Sequence, residues 1–209
     1  MSKRRQLSGI LFDFDGTITT QGHLDFPKIR SVIGCPPGTS ILDHIESLPG
    51  DERANAEETL DNFEMTAAGE VSAAPGLYKI LEFASDASLP LGIITRNTRR
   101  AVDRSFSVIP DLDSTFFTCI VTRDDPLPVK PAPDGVIYAT RTMGVRPEET
   151  LVIGDYIYDM EAGQRAGAHT CFVDAHPSRF YPAPEADFVV SDLRSLVAML
   201  QPMLTATVS

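Results

Sequence analysis

The sequence predicts an α/β fold: a Rossmann-like parallel sheet with helices on both faces, and a small α-helical unit inserted after the first strand. Three observations predict it. Short apolar runs alternate with helix-like stretches over most of the chain, the pattern of a parallel sheet wrapped on both sides. The runs are continuously apolar rather than alternating, as strands buried on both faces are. One interval, residues 18–74, lacks any convincing strand and carries helical periodicity instead.

The elements follow in order. Leu7 to Phe12 is short, apolar and closed by acidic residues and Gly16, so it reads as a buried strand opening into a loop. In the interval that follows, Ile41, Ile45 and Leu48 share one helical face, with Ser40 or Thr39 as cap. Ala56, Leu60, Phe63 and Ala67 share another, beyond a break at Pro49-Gly50-Asp51. These helices form either a separate inserted unit, residues 19–74, or an ordinary cover for the sheet built by residues 1–18 and 75–209. Further strands are expected at Leu89 to Thr95, Phe117 to Thr122, Leu151 to Gly154, Thr170 to Val173 and Phe188 to Val190. Helices are expected at Leu77 to Ala87, Thr98 to Val108, Asp134 to Met143, Tyr158 to Ala166 and Ser191 to Leu200, the last capped by Ser191 or Asp192. In such sheets, ligands sit beyond the carboxyl ends of the strands.

Composition narrows the function. The chain has 209 residues, 43% hydrophobic and 22% charged, which is ordinary for a globular protein. Its net charge of −11 disfavours nucleic acid as a partner, because no basic stripe is present to neutralise a phosphate backbone. An anionic substrate would need local positive charge from a metal ion, Lys, Arg or backbone N–H groups. Cys35, Cys119 and Cys171 are far apart and odd in number, which fits a reduced, cytoplasmic setting better than a disulfide framework or zinc site. No segment has the length of a membrane span. The basic Lys3-Arg4-Arg5 run reads as a solvated tail rather than a targeting signal.

Four segments carry the chemistry, each after an apolar strand. Asp13-Phe14-Asp15-Gly16-Thr17 puts two carboxylates at i and i+2, projecting to the same side of an extended backbone. Like charges that close require a cation or a shared proton. Gly16 permits a tight turn and lets backbone N–H groups approach an anion. Thr95 ends its strand with a hydroxyl able to donate to a phosphoryl oxygen, or simply to cap a turn. Lys130, in a proline-stiffened loop, is a compact point charge able to neutralise phosphate and carboxylate together. Gly154-Asp155-Tyr156-Ile157-Tyr158-Asp159 adds two hard oxygen ligands of the type that Mg²⁺ takes. Arg96 would either reach a second anionic group or face solvent.

The ordered set DxDGT, Thr95, Lys130 and GDxxxD resembles the four motifs of the haloacid dehalogenase-like hydrolase superfamily, over nearly the whole chain from Gly9 to about Asp174. The insertion lies between the first two motifs, where that superfamily's C1-type helical cap sits. The closest likeness is therefore to its phosphoglycolate phosphatase and β-phosphoglucomutase branch. The resemblance implies Asp13 as nucleophile and an aspartyl-phosphate intermediate. It implies Asp15 as general acid and then general base, and Mg²⁺ held by Asp13, Asp155 and the backbone carbonyl of Asp15. Gly16, Thr17, Thr95, Arg96, Asn97 and Lys130 would surround the phosphate, and Asp159 would orient Lys130 or a metal-bound water. Relatives that are dehalogenases lack an Asp at the second acidic position, and P-type ATPases carry Thr there. Asp15 therefore favours a phosphatase acting on a small-molecule phosphate ester. A sugar phosphomutase shares every catalytic residue and stays open, as does a phosphonate hydrolase. A signalling receiver domain is a weaker reading, since no DxDGT or inserted helices belong to it; a catalytically silent relative is weakened by the complete side-chain set. The segments Thr19 to His23 and Gly34 to Thr39 are the expected substrate contacts; His23 and His44 would either add polar contacts or, as histidines more often do, serve surface or structural roles, and Cys35 would either line the pocket or fill a small buried apolar role. The chain is expected to act as a monomer or homodimer.

Overall fold

The computed structural model describes residues 7–175 and 185–205; the Lys3-Arg4-Arg5 run lies outside them. Six strands form one parallel sheet: β1 (Gly9–Phe12), β2 (Leu91–Ile94), β3 (Cys119–Val121), β4 (Thr150–Gly154), β5 (His169–Val173) and β6 (Phe188–Val190). Their spatial order is β3-β2-β1-β4-β5-β6. The winding therefore reverses at β1, with β2 on one side and β4 on the other. A crevice opens at such a reversal, beyond the carboxyl ends of the two strands.

Side-chain alternation sorts the core into two layers. Ile10 and Phe12 of β1 point to one face, where they join Ile93, Leu151 and Ile153 against α4 (Leu77–Asp86), α5 (Arg99–Val108) and α8 (Leu193–Thr205). Leu11 points to the other, with Ile94, Val121 and Val152 against α6 (Asp134–Met143) and α7 (Ile157–Ala166). Each fully buried Ile or Leu contributes about 1.5–3 kcal/mol of transfer free energy, so losing either layer would unfold the sheet. The helices start where side chains satisfy their first N–H groups: Thr98 accepts from Ala101, and Asp192 accepts from Ser195.

Between β1 and α4 lie three helices, α1 (Phe26–Ile33), α2 (Ile41–Ser47) and α3 (Gly50–Ala68). Ile29, Cys35, Ile41, Ile45, Ala56 and Leu60 pack into a small hydrophobic cluster of their own. The sequence reading foresaw α2 and α3 but not α1. Its signals were present: Asp25 accepts from the Lys28 N–H, Pro27 occupies the first turn, and the helix stops at Gly34. The break expected at Pro49-Gly50-Asp51 is shorter than that, because Gly50 and Asp51 already belong to α3. A single antiparallel bridge, Thr19 to Ala73, ties the two ends of this insertion together.

Candidate active site

Parallel pairing brings residues 13 and 155 together. Phe12 lies opposite Ile153, and the Asp13 N–H donates to the Ile153 carbonyl at 2.8 Å. The chain then leaves both strands at the same level, carrying Asp13 and Asp155 into one crevice. Two glycines keep that crevice open. A Cβ on Gly16, whose φ is +86°, would sit 2.5 Å from Asp155 Oδ2. A Cβ on Gly154 would sit 2.3 Å from the Asp159 carboxyl. Each glycine therefore clears space for a carboxylate of the fourth motif.

Lys130 arrives from the loop before α6. Its Nζ lies 2.5 Å from Asp13 Oδ1 and 2.5 Å from Asp159 Oδ1, and the side chain is only 5% exposed. Asp159 also accepts the Tyr156 N–H at 3.0 Å, which fixes it in the first turn of α7. Ligand atoms of Asp13, Asp155 and Asp159 all fall within 4.8 Å of one another. Asp155 accepts from Gln21 Nε2 at 2.6 Å.

The electrostatics follow from burial. Desolvation pushes the Asp13 carboxyl well above the usual carboxylate range; Lys130 opposes this, while Asp159, Asp155 and Asp15 reinforce it. Burial alone would lower the Lys130 ammonium, but Asp13 and Asp159 outweigh it and hold its pKa above the ordinary value. Asp15 is raised chiefly by burial, and its hydrogen bond from Asn97 opposes the rise. Two carboxylates thus share one ammonium, with a third, Asp155, beside them. Such a set is short of positive charge, and its hard oxygens suit a divalent cation such as Mg²⁺.

The second motif borders the same floor. Thr95 follows β2, is 4% exposed, and accepts the Asn97 N–H at 3.0 Å, so its hydroxyl proton points elsewhere. Asn97 Nδ2 donates to Asp15 Oδ2 at 3.0 Å. Arg96 does not face solvent: it donates to Ser40 Oγ at 2.6 Å and stacks 4.8 Å from the centroid of Tyr158. Together these groups line a cavity of about 640 Å³, roofed by Leu24, Phe26, Ile41, Leu42, Leu60 and Glu64.

The cavity takes in Asp13, Asp15, Gly16, Thr95, Arg96, Asn97, Lys130, Asp155 and Asp159. Thr17, expected beside the phosphate, is instead buried outside the lining, its hydroxyl without a partner. Thr19 to His23 line the cavity throughout, with His23 bonded to Thr20 at 2.8 Å. Gly34 to Thr39 do not; Arg30, Ser40 and Ile41 stand there instead, because the loop is turned toward Arg30, which donates to Pro36 and Thr39 carbonyls. His44 bonds the Ile33 carbonyl, and Cys35 packs in the small helical cluster. Sequence reasoning missed Glu64 and Arg123. Arg123, after β3, pairs with Glu64 Oε1 at 2.5 Å and with Asp61, both on α3. No local motif marks that pairing, since its members are 59 and 62 residues apart.

Known proteins resemble this chain in sequence and in fold. The chain is 32% identical over 208 residues to a haloacid dehalogenase-like hydrolase domain-containing protein of Arabidopsis thaliana, covering 91% of this chain and 79% of that one. It is 26% identical over 213 residues to the pyrophosphatase PpaX of Oceanobacillus iheyensis, covering 91% and 95%. The crystal structure of a hydrolase from Pseudomonas syringae superposes with a TM-score of 0.78 over 93% of this chain and 98% of that one, at 23% identity, and shares the fold. Residues 21–173 match the family model described as haloacid dehalogenase-like hydrolase, and the chain belongs to that family.

Proposed function

We propose that the protein is a Mg²⁺-dependent phosphatase that hydrolyses a small-molecule phosphate monoester through an aspartyl phosphate on Asp13. The observation that carries this reading is the placement of Lys130 between Asp13 and Asp159, with Asp155 beside them, on the floor of a cavity large enough for a metabolite. Asp13 Oδ1 is engaged by Lys130, which leaves Oδ2 to attack phosphorus. As that P–O bond forms, the ester P–O bond breaks, and Asp15 gives its proton to the departing alkoxide. Asp15 then takes a proton from water, whose oxygen attacks phosphorus and frees Asp13 and inorganic phosphate. Burial raises the Asp15 carboxyl above its ordinary value, the direction that favours the first of these roles, while its hydrogen bond from Asn97 opposes the rise.

Thr95 and Lys130 would bind the transferring group, helped by N–H groups near Asp15, Gly16 and Arg96. Asp13, Asp155 and the Asp15 carbonyl would hold Mg²⁺, and Asp159 would keep Lys130 in place. When bound, Mg²⁺ offsets the repulsion between the carboxylates and a phosphate dianion. Residues 19–74 would act as a cap over a core made of 1–18 and 75–209, excluding water as they close. The described cysteines are all free thiols, which supports a reducing, cytoplasmic setting. The test is a phosphate-release screen over metabolite monoesters and pyrophosphate, with and without Mg²⁺, using Asp13→Asn as control. We expect Mg²⁺-dependent release from at least one monoester, and loss of at least about 10⁴-fold in Asp13→Asn. Full activity of Asp13→Asn would refute the nucleophile. Release from pyrophosphate alone would replace the monoester reading with a pyrophosphatase, in line with the name of one relative.

A further inference from the structure

Arg123 lies outside the cavity lining, yet it bonds to both sides of it. Its side chain is 14% exposed. One guanidinium nitrogen donates to Glu64 Oε1 at 2.5 Å and to the Arg96 carbonyl at 3.3 Å; the other pairs with Asp61. Its backbone N–H donates to the Asn97 carbonyl at 3.1 Å. The guanidinium therefore grips both α3 and the Arg96 carbonyl, and the backbone N–H grips the next residue of the loop, Asn97.

That loop holds Asp15. Asn97 has its side chain fixed at both ends: Oδ1 accepts the Thr98 N–H at 2.9 Å and Nδ2 donates to Asp15 Oδ2 at 3.0 Å. Arg96, the next residue back, reaches Ser40 at the start of α2. A shift of the loop by even about 1 Å would break the bond to Asp15, and displacements of this size cost catalysis about 10²-fold. A mostly buried guanidinium with three acceptors is a stiff brace, because leaving the buried Glu64 carboxyl or the Arg96 carbonyl unpaired is expensive.

We infer that Arg123 is a positioning residue for the general acid: by clamping α3 to the Thr95–Asn97 loop, it keeps Asn97 on Asp15 and makes protonation of the leaving group depend on the seating of the inserted helices. This rests on the reading of Asp15 given above. Arg123 touches neither substrate nor the reacting atoms. Its effect should therefore follow the need for a proton rather than the affinity for phosphate. An alkyl leaving group must be protonated as it departs, whereas p-nitrophenolate departs without help.

The experiment compares kcat/KM for glycerol phosphate and for p-nitrophenyl phosphate, a pair that isolates the step before phosphoenzyme hydrolysis. Arg123→Met, Arg123→Lys and Asp15→Asn are each measured on both. In Asp15→Asn, the loss on the alkyl ester should exceed that on the aryl ester by at least about tenfold. Arg123→Met should show the same asymmetry, with about a 10²-fold loss on the alkyl ester, and Arg123→Lys should recover part of it. Thermal melting identifies variants that fail to fold. Should Arg123→Met fail, the double variant Asp61→Asn, Glu64→Gln decides: it leaves the guanidinium in place but weakens its hold on α3, and should lose about fivefold more on the alkyl ester than on the aryl one. Equal losses on the two esters in the Arg123 variants or the double variant, beside an asymmetric Asp15→Asn, would overturn the positioning role alone. Equal losses in Asp15→Asn would overturn the acid reading and this inference with it.

Discussion

The floor and the roof of the cavity are built by different rules. On the floor, the polar groups hang from strand ends and the first turn of a helix, joined by Lys130 from the loop before α6. Asp13, Thr95 and Asp155 follow β1, β2 and β4, whose parallel register fixes their relative heights. On the roof, α1–α3 carry their own small apolar cluster and meet the floor through a few polar contacts: Ser40 with Arg96, Asp61 and Glu64 with Arg123, and Gln21 with Asp155. Backbone hydrogen bonds hold the floor rigid, while side-chain contacts can be exchanged. On the reading proposed above, the reacting groups belong to the sheet, while the roof would govern selectivity and, through Arg123, the seating of Asn97 on Asp15.

The sharpest way to break this contrast is to remove a floor residue and find a small effect. Lys130→Met keeps the aliphatic stem but leaves Asp13 and Asp159 buried without their cation. We expect turnover to fall by about 10³-fold or more, and stability in urea to fall by about 3–5 kcal/mol, the usual cost of breaking a buried pair from one side. A loss of only a few fold would mean that the ammonium is structural decoration. Asp15→Asn comes next. The amide retains a hydrogen bond to Asn97 but cannot give or take the proton, so turnover should drop by about 10²–10⁴-fold. Acid-quenched protein should then carry more trapped phosphate than the wild type during turnover. Unchanged turnover would remove Asp15 from the mechanism.

The same contrast explains what was legible in the sequence. A strand of four to six apolar residues ending in DxDGT or GDxxxD states both its structure and its chemistry within a dozen positions. The sheet, the floor residues and the two later roof helices could therefore be read directly. Helix α1 was overlooked because its apolar stripe is short and only Ile29 is fully buried, although Asp25, Pro27 and Gly34 punctuate it correctly. Thr17 was placed beside the phosphate by its motif, whereas the turn after Asp15 directs it inward. The pairing of Arg123 with Asp61 and Glu64 had no local signature at all. A charged residue on a helix of this kind normally faces water, and only the packing of α3 against the loop after β3 shows otherwise.

Glu64 offers a pH test of the seam between the regions. Burial raises its pKa from 4.5 to about 7, against the pull of Arg123, while Asp15 and Asp61 add to the rise. A carboxyl raised on folding holds a proton that the unfolded chain has already released. Its contribution to stability is therefore complete below pH 4.5 and is lost as pH climbs toward 7. Glu64→Gln abolishes this titration. Between pH 5 and pH 7.5 the wild type should lose about 2 kcal/mol more stability than the variant, read by urea unfolding across that range. Some slope should persist in the variant, because Asp13 and Asp15 are raised as well. Parallel curves would mean that Glu64 stays ionised in the folded protein and that the seam is a permanent ion pair.

The smallest effect is expected on the roof itself. Ser40 has two tasks: its hydroxyl accepts the Asp43 N–H at the start of α2, and it receives the Arg96 guanidinium. Ser40→Ala removes both. The lost cap should cost about 0.5–2 kcal/mol, and Arg96, still stacked on Tyr158, becomes freer to swing into the cavity. We expect KM to change by about threefold with kcat nearly preserved, because the floor keeps its geometry while the roof closes less firmly. Arg96→Met separates the two tasks, since it breaks the contact to Ser40 and leaves the helix cap intact. If the Michaelis constant responds to Arg96→Met as it does to Ser40→Ala, the contact governs substrate binding. If only Ser40→Ala shifts it, the cap of α2 is the determinant. A large fall in kcat in Ser40→Ala would show that the roof reaches the chemistry through Arg96 as well as through Arg123, and Ser40 would no longer be a binding contact alone.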